Sequence, residues 1–260
     1  MPKVVLFSID GMRPDGLQQA DTPFFDSLMA NGASTLQART VMPSVTLPCH
    51  TSLFHGVEPE RHGITTNLYT PQVRPVPGIV ETLTKAGKQA AFFYNWEPLR
   101  DLARPETLSA SFFLNNDGVA EGAGDTVLAG LAASWLRDNP VDFAFVYFGH
   151  TDSAGHKHGW MSEPYLRAIA NASRCVAAVC AALPEDTHIF VTSDHGGHGK
   201  SHGTEMDEDM TTPLLMRGPN VPAAHRIERS VRITDIAPTI VHLFGLDLPS
   251  DWIGTPITFA

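Results

Sequence analysis

The sequence predicts an α/β protein of three layers, with helices on both faces of a mainly parallel sheet. Two observations carry that prediction. Four short apolar runs are rich in β-branched and aromatic residues and lack polar alternation, as strands covered on both faces do. Between them lie segments with apolar residues at helical spacing, so strand and helix alternate along the chain.

Residues 4–9 form the first run and end at Asp10-Gly11, where glycine lets the backbone turn sharply or lie close to a ligand. A helix is predicted over 22–29, with Asp21 as its N-cap. Thr46 precedes a further apolar helical run. Pro48 falls in its first turn, where a missing N–H costs little. Residues 65–77 are rich in Pro and polar side chains and read as a loop over one end of the sheet. A helix over 78–86 stops before Gly87, and residues 90–94 form the second run. The helical pattern of 126–137 breaks at Asn139-Pro140 ahead of the third run, 143–148. A longer helix, 164–183, is closed by Pro184 and followed by the fourth run, 188–192. The last predicted helix, 235–244, ends at Gly245. No internal repeat or low-complexity tract interrupts this order, and residues 1–260 read as one domain with one sizeable core.

Composition narrows the function. Hydrophobic residues are 43% of the chain and charged residues 18%, a balance that folds unaided. The net charge is −10 and no Lys/Arg run is dense enough to track a nucleic-acid backbone or an anionic membrane, which excludes both as expected partners. Part of the negative balance is what carboxylates gathered around bound cations would produce. The first apolar stretch is too short for a signal peptide, and no later stretch reaches membrane-spanning length. Cys49, Cys175 and Cys180 are odd in number and form no CxxC pair, which argues against a disulfide scaffold. The expectation is a cytoplasmic protein acting on a small molecule, its oligomeric state open.

Chemistry gathers where the strands end. Asp10 follows the first run; the third leads into Gly149-His150-Thr151-Asp152-Ser153-Ala154-Gly155-His156; the fourth leads into Ser193-Asp194-His195 and on through His198 to His202. Singly, each is an ordinary turn aspartate or satisfied histidine. Together they place carboxylates beyond three strands and histidines beyond two, at the end of the sheet where α/β proteins bind ligands. Asp152 and His156 are four residues apart and share a face if they lie on a helix. Mixed carboxylate and imidazole donors suit zinc or manganese better than calcium or magnesium, and twelve histidines tip the choice to zinc. Gly199-Lys200-Ser201 looks like the end of a phosphate-binding P-loop, but the opening glycine of that motif would fall at Asp194. Thr46 reads as a helix cap or, beside a metal, as a hydroxyl toward which the helix N-terminus attracts a phosphoryl group.

These residues resemble the alkaline phosphatase superfamily, and within it the type I phosphodiesterase/nucleotide pyrophosphatase family. The resemblance lies in Ser8-Ile9-Asp10-Gly11-Met12-Arg13-Pro14-Asp15, in the Pro-x-x-Thr-x-Pro-x-His frame around Thr46, in His62-Gly63-Ile64 with Asn67, in Asp152 and His156, and in Asp194-His195-Gly196. The blocks keep the family's order from residue 8 to residue 203. The resemblance implies a minimal alkaline-phosphatase-like fold and a phosphate ester hydrolase with two metal ions. One ion would be held by Asp10, Thr46, Asp194 and His195. The other would be held by Asp152, His156 and a third histidine, His202, with His198 as its rival. Thr46 would be the nucleophile of a covalent phospho-threonine intermediate, and Asn67 would donate its amide N–H to a phosphoryl oxygen.

Two departures bear on substrate. Family members commonly carry Phe after the nucleophile as a base-stacking surface and Asn before the following His; here these are Leu47 and Cys49. Tyr94 and Trp96, at a strand end, are candidates for a replacement aromatic surface or for core packing. The alternatives on the same metal cage are a phosphonate hydrolase or a phosphomutase. A different class is a metal-stabilised binding module without chemistry, against which the pairing of Thr46 with Asn67 argues.

Overall fold

Strands without polar alternation must bury both faces, and here they occupy the middle of one eight-stranded sheet. The computed structural model describes residues 3–116 and 119–259; Met1, Pro2, Asp117, Gly118 and Ala260, all within the predicted domain, lie outside the described residues. The strands are β1 (Lys3–Ile9), β2 (Ala33–Arg39), β3 (Ala90–Tyr94), β4 (Ala110–Phe113), β5 (Phe143–Phe148), β6 (Thr187–Thr192), β7 (Thr211–Arg217) and β8 (His225–Arg226). Their spatial order is β4-β3-β5-β1-β6-β7-β2-β8, and among the described residues only β7 runs against the rest.

Alternate residues of the central strands feed two separate cores. Val4, Leu6, Phe92, Phe143 and Phe145 face one side, with Leu53 and Phe54 of the helix Thr46–His55, Ile79 and Leu83 of Ile79–Lys85, and Ile240 of Ile236–Leu243. Val5, Phe7, Phe93, Val146 and Phe148 face the other, against Leu17 of Pro14–Gln19, Phe25 of Pro23–Ala30, Leu128 of Ala123–Asp138 and Ile169 of Glu163–Cys180. This is the predicted three-layer arrangement, produced by the period of two along each strand. Phe54, Phe92 and Phe145 meet edge to face at 4.9–5.4 Å between ring centroids. Phe92→Ala is therefore expected to cost about 3–5 kcal/mol, read as a fall in the denaturant midpoint.

The four runs expected from sequence are β1, β3, β5 and β6, but the flanking strands were not. Half-polar β2 and alternately buried β4 give weak signals. Strand β7 contains Pro213, which sits where the β2 ladder shifts register between Thr35 and Ala38, so its missing N–H interrupts no regular pairing there. Helix ends moved too. The first long helix is Pro23–Ala30 with Thr22, not Asp21, at the cap, because Pro23 presets the backbone of the first turn. Residues 65–77 contain neither helix nor strand. Among the described residues no helix is long and apolar enough to cross a membrane.

Candidate active site

Strands β5, β1 and β6 are adjacent and parallel, with Ile9 opposite Phe148 and Ser8 opposite Thr192. Their register brings the three carboxyl ends level, so the residues just beyond them meet. Gly11 adopts φ +66°, and a Cβ there would lie 3.2 Å from Asp152, so glycine is what lets the chain leave β1 beside that carboxylate. Residues 150–158 do form a helix, His150–His158, which puts Asp152 and His156 on one face.

The predicted ligands gather into two clusters, Asp10 with Asp194 and His195, and Asp152 with His156 and His202. In the first, His195 Nε2 lies 3.3 Å from both Asp10 Oδ1 and Asp194 Oδ2, and 3.2 Å from Thr46 Oγ1. In the second, Asp152 Oδ1 lies 3.5 Å from His156 Nε2 and 3.7 Å from His202 Nε2. The rings of His195 and His202 stack at 3.8 Å, joining the clusters. His198 turns away and pairs with Asp209 at 2.7 Å.

Asp10, Asp194 and the three histidines are each held so that one atom remains for something else. Tyr147 Oη donates to Asp10 Oδ2, and the Gly11 N–H donates to Asp194 Oδ1. Asp10 Oδ1, Asp194 Oδ2 and Asp152 Oδ1 are buried with no hydrogen-bond donor. The histidines complement them: Nδ1 of His156, His195 and His202 faces the carbonyl of Lys200, Gly196 and Ser44 at 2.8–2.9 Å. A carbonyl only accepts, so each Nδ1 carries the proton and each Nε2 presents a lone pair inward. Buried carboxylate oxygens without donors, facing imidazole lone pairs, are what divalent cations satisfy, and the N/O set fits zinc or manganese.

Electrostatics agree. Burial, compounded by the Asp194 and Asp152 charges, pushes the Asp10 carboxyl well above the usual carboxylate range. Burial also raises Asp152. At Asp194 burial acts upward as well, but His195, His50, the Gly11 N–H and His202 together outweigh it and the net shift is downward. Burial and the neighbouring His195 lower His202 to about 4, so it is neutral near pH 7 and ready as a ligand.

Thr46 begins the helix Thr46–His55, preceded by Val45, which offers no side-chain cap. The cap comes from elsewhere: Asn67 Oδ1 accepts from the Leu47 N–H at 2.9 Å. That bond fixes which way the amide faces, and its Nδ2 group has no hydrogen bond among the described residues. Leu47 itself is buried and cannot present a stacking surface. Tyr94, expected as a candidate surface, is buried too, with its hydroxyl 3.2 Å from Ser111 Oγ. Trp96 packs against the core. Cys49 is buried, which pushes its thiol up and leaves it a small core residue.

Other motif residues are structural. Arg13 pairs with Asp15 and donates to the Gly197 carbonyl at 2.9 Å, holding the loop after Asp194. His62 is buried against Ser52 Oγ at 3.0 Å. Sequence reasoning missed Tyr147 and assigned no role to His50. It also missed the buried pair Asn95–Asp125, which grips the Gly149 and His150 N–H groups. The one signal available was the four-residue spacing of Thr46 and His50 on a predicted helix.

Comparison with known proteins follows the same lines. A sequence model described as type I phosphodiesterase/nucleotide pyrophosphatase matches residues 4–224. Mouse ectonucleotide pyrophosphatase/phosphodiesterase family member 7 is 26% identical over 222 residues, covering 75% of this chain and 49% of that protein. The chain spans about half the length of these curated relatives. Among solved structures, an inactive variant of murine ectonucleotide pyrophosphatase/phosphodiesterase 5 in complex with AMP superposes with a TM-score of 0.79 at 18% identity, covering 96% of each chain. A phosphonate monoester hydrolase of Agrobacterium radiobacter superposes at 0.78 with 18% identity, covering 99% of this chain and 76% of that one. These structures share the alkaline-phosphatase-like fold.

Proposed function

This chain belongs to the type I phosphodiesterase/nucleotide pyrophosphatase family, and on that premise we propose that it hydrolyses phosphate esters of small molecules through a covalent phospho-threonine at Thr46. The observation that carries this reading is the set of three buried carboxylate oxygens without donors, facing three histidine Nε2 atoms, with Thr46 Oγ1 beside them. Asp10, Thr46, Asp194 and His195 would hold one divalent ion, and Asp152, His156 and His202 the other. Zinc suits the donors best, with manganese next. When bound, the ions acidify the Thr46 hydroxyl and the attacking water and neutralise charge on the phosphoryl oxygens.

The residues then divide the work. Thr46 Oγ1 attacks phosphorus, forming an O–P bond as the bond to the leaving alcohol breaks on the opposite side. Water attacks the phospho-threonine in the same in-line sense, returning the threonine hydroxyl and releasing phosphate or a phosphate monoester. Asn67, oriented by Leu47, donates from Nδ2 to a phosphoryl oxygen as charge develops. Asn67→Ala is expected to lower kcat by roughly 10²-fold with metal content unchanged; a rate equal to the parent removes Asn67 from the mechanism.

Aryl esters are suitable probes, because cleavage releases a phenol that can be followed directly. The test is a rate panel of aryl phosphate diester, monoester, phosphonate and sulfate on metal-analysed protein, with and without added zinc. Phosphate ester turnover that needs the ion is expected. A protein that binds zinc stoichiometrically yet cleaves none of the four is a binding module, and fastest turnover of the phosphonate reassigns the substrate.

A further inference from the structure

Beneath the nucleophile lies a buried polar layer that contributes none of the metal-directed atoms. His50 is fully buried, one turn along the helix from Thr46, and its Nδ1 donates to the Thr46 carbonyl at 2.8 Å. Its Nε2 is 2.8 Å from Ser8 Oγ, on β1 two residues before Asp10. The Nδ1 atom also lies 3.4 Å from Asp194 Oδ2. The ring edge meets Tyr147 at 5.4 Å, and Tyr147 Oη donates to the Asp10 oxygen that faces away from His195. Ser8, His50 and Tyr147 thus tie together the nucleophile's helix, the strand that ends in Asp10, and the Asp10 carboxylate.

We propose that Tyr147 and His50 are positioning residues: Tyr147 fixes the rotation of Asp10 so that Oδ1 points at the first cation, and His50 clamps the Thr46 backbone to β1. Burying a phenol and an imidazole is costly unless their polar atoms are used, and here the Tyr147 hydroxyl is spent on Asp10, His50 Nδ1 on Thr46 and His50 Nε2 on Ser8 of β1. Among the described residues the hydroxyl of Tyr147 has a single acceptor, so removing it frees the carboxylate while leaving the ring in place. His50 lacks contact with the reacting atoms and acts through Thr46. Partners of this kind typically change metal affinity or activity about 10–100-fold.

The inference rests on the metal-site reading above, and the experiment separates the two. Zinc is titrated calorimetrically into metal-stripped parent, Tyr147→Phe, His50→Leu and His50→Asn, and kcat and KM are measured on an aryl phosphate ester at saturating zinc. The parent should take up two ions; uptake of none refutes the reading of the site itself. With two bound by the parent, Tyr147→Phe should lose about 10–100-fold in affinity at one ion and little at the other. His50→Leu should lower kcat with KM nearly unchanged. His50→Asn, whose amide can place a donor near the Nδ1 position, should recover much of that loss. Parent-like affinity at both ions in Tyr147→Phe overturns the proposal for Tyr147, as does an equal loss at both. Failure of His50→Asn to exceed His50→Leu overturns it for His50. If His50→Leu does not fold, His50→Asn is compared with the parent, and a kcat fall matched by a KM rise counts against positioning.

Discussion

Replacing Thr46 with alanine is expected to abolish turnover of phosphate esters while leaving bound metal nearly unchanged. The loss should exceed about 10⁴-fold, the scale on which removal of a covalent nucleophile acts. Metal should persist because the side chains of Asp10, Asp194 and His195 converge without help from the hydroxyl, held by Tyr147, Gly11 and the Gly196 carbonyl. The check pairs elemental analysis of the purified variant with a rate on an aryl phosphate. Single-turnover quenching of the parent adds an independent reading, since phosphate should appear on the peptide that contains Thr46. Full activity in the variant would sink the covalent mechanism, whatever became of the metal.

The second large effect distinguishes two histidines four residues apart. His202→Ala should cost one of the two ions and at least about 10²-fold in kcat, because it leaves Asp152 and His156 as the only protein ligands at that position. His198→Ala should keep both ions and most of the activity. Asp209 loses one partner in that variant but retains the N–H and hydroxyl of Thr204, at 2.9 and 2.7 Å. Metal stoichiometry on the two variants side by side decides the matter: equal losses, or a greater loss in His198→Ala, would exchange their roles.

The choice between those histidines shows where sequence reading stops. Both stand in the same glycine-rich stretch, and either spacing from Asp194 is chemically acceptable. What separates them is a tight turn in which His198 and Ser201 exchange backbone hydrogen bonds at 2.9 Å. That turn places the His198 ring on Asp209 and leaves His202 to stack on His195. Local composition does not encode the outcome, because it depends on Asp209 and Ser44, which arrive from elsewhere in the chain.

Other particulars divide in the same way. Strands β1, β3, β5 and β6 were legible because burial on both faces demands uninterrupted apolar residues, whereas half-exposed β2 and proline-bearing β7 do not advertise themselves. Asp10, Asp152 and Asp194 stood out because carboxylates rarely follow three buried strands by chance. Tyr147 did not, since inside the apolar run of β5 a tyrosine looks like any core aromatic until its hydroxyl is seen on Asp10.

By itself, then, the sequence determined the layer architecture and singled out the candidate donors, all but the choice between His198 and His202, and the candidate nucleophile, because residue periodicity and side-chain chemistry are properties of the chain alone. Tertiary structure decided the rest. The strand order β5-β1-β6 brought three distant carboxylates level, backbone carbonyls selected the tautomers of His156, His195 and His202, and packing buried Leu47 and Tyr94. Those outcomes are relations between segments far apart in sequence, set by register and burial, and no residue carries them locally.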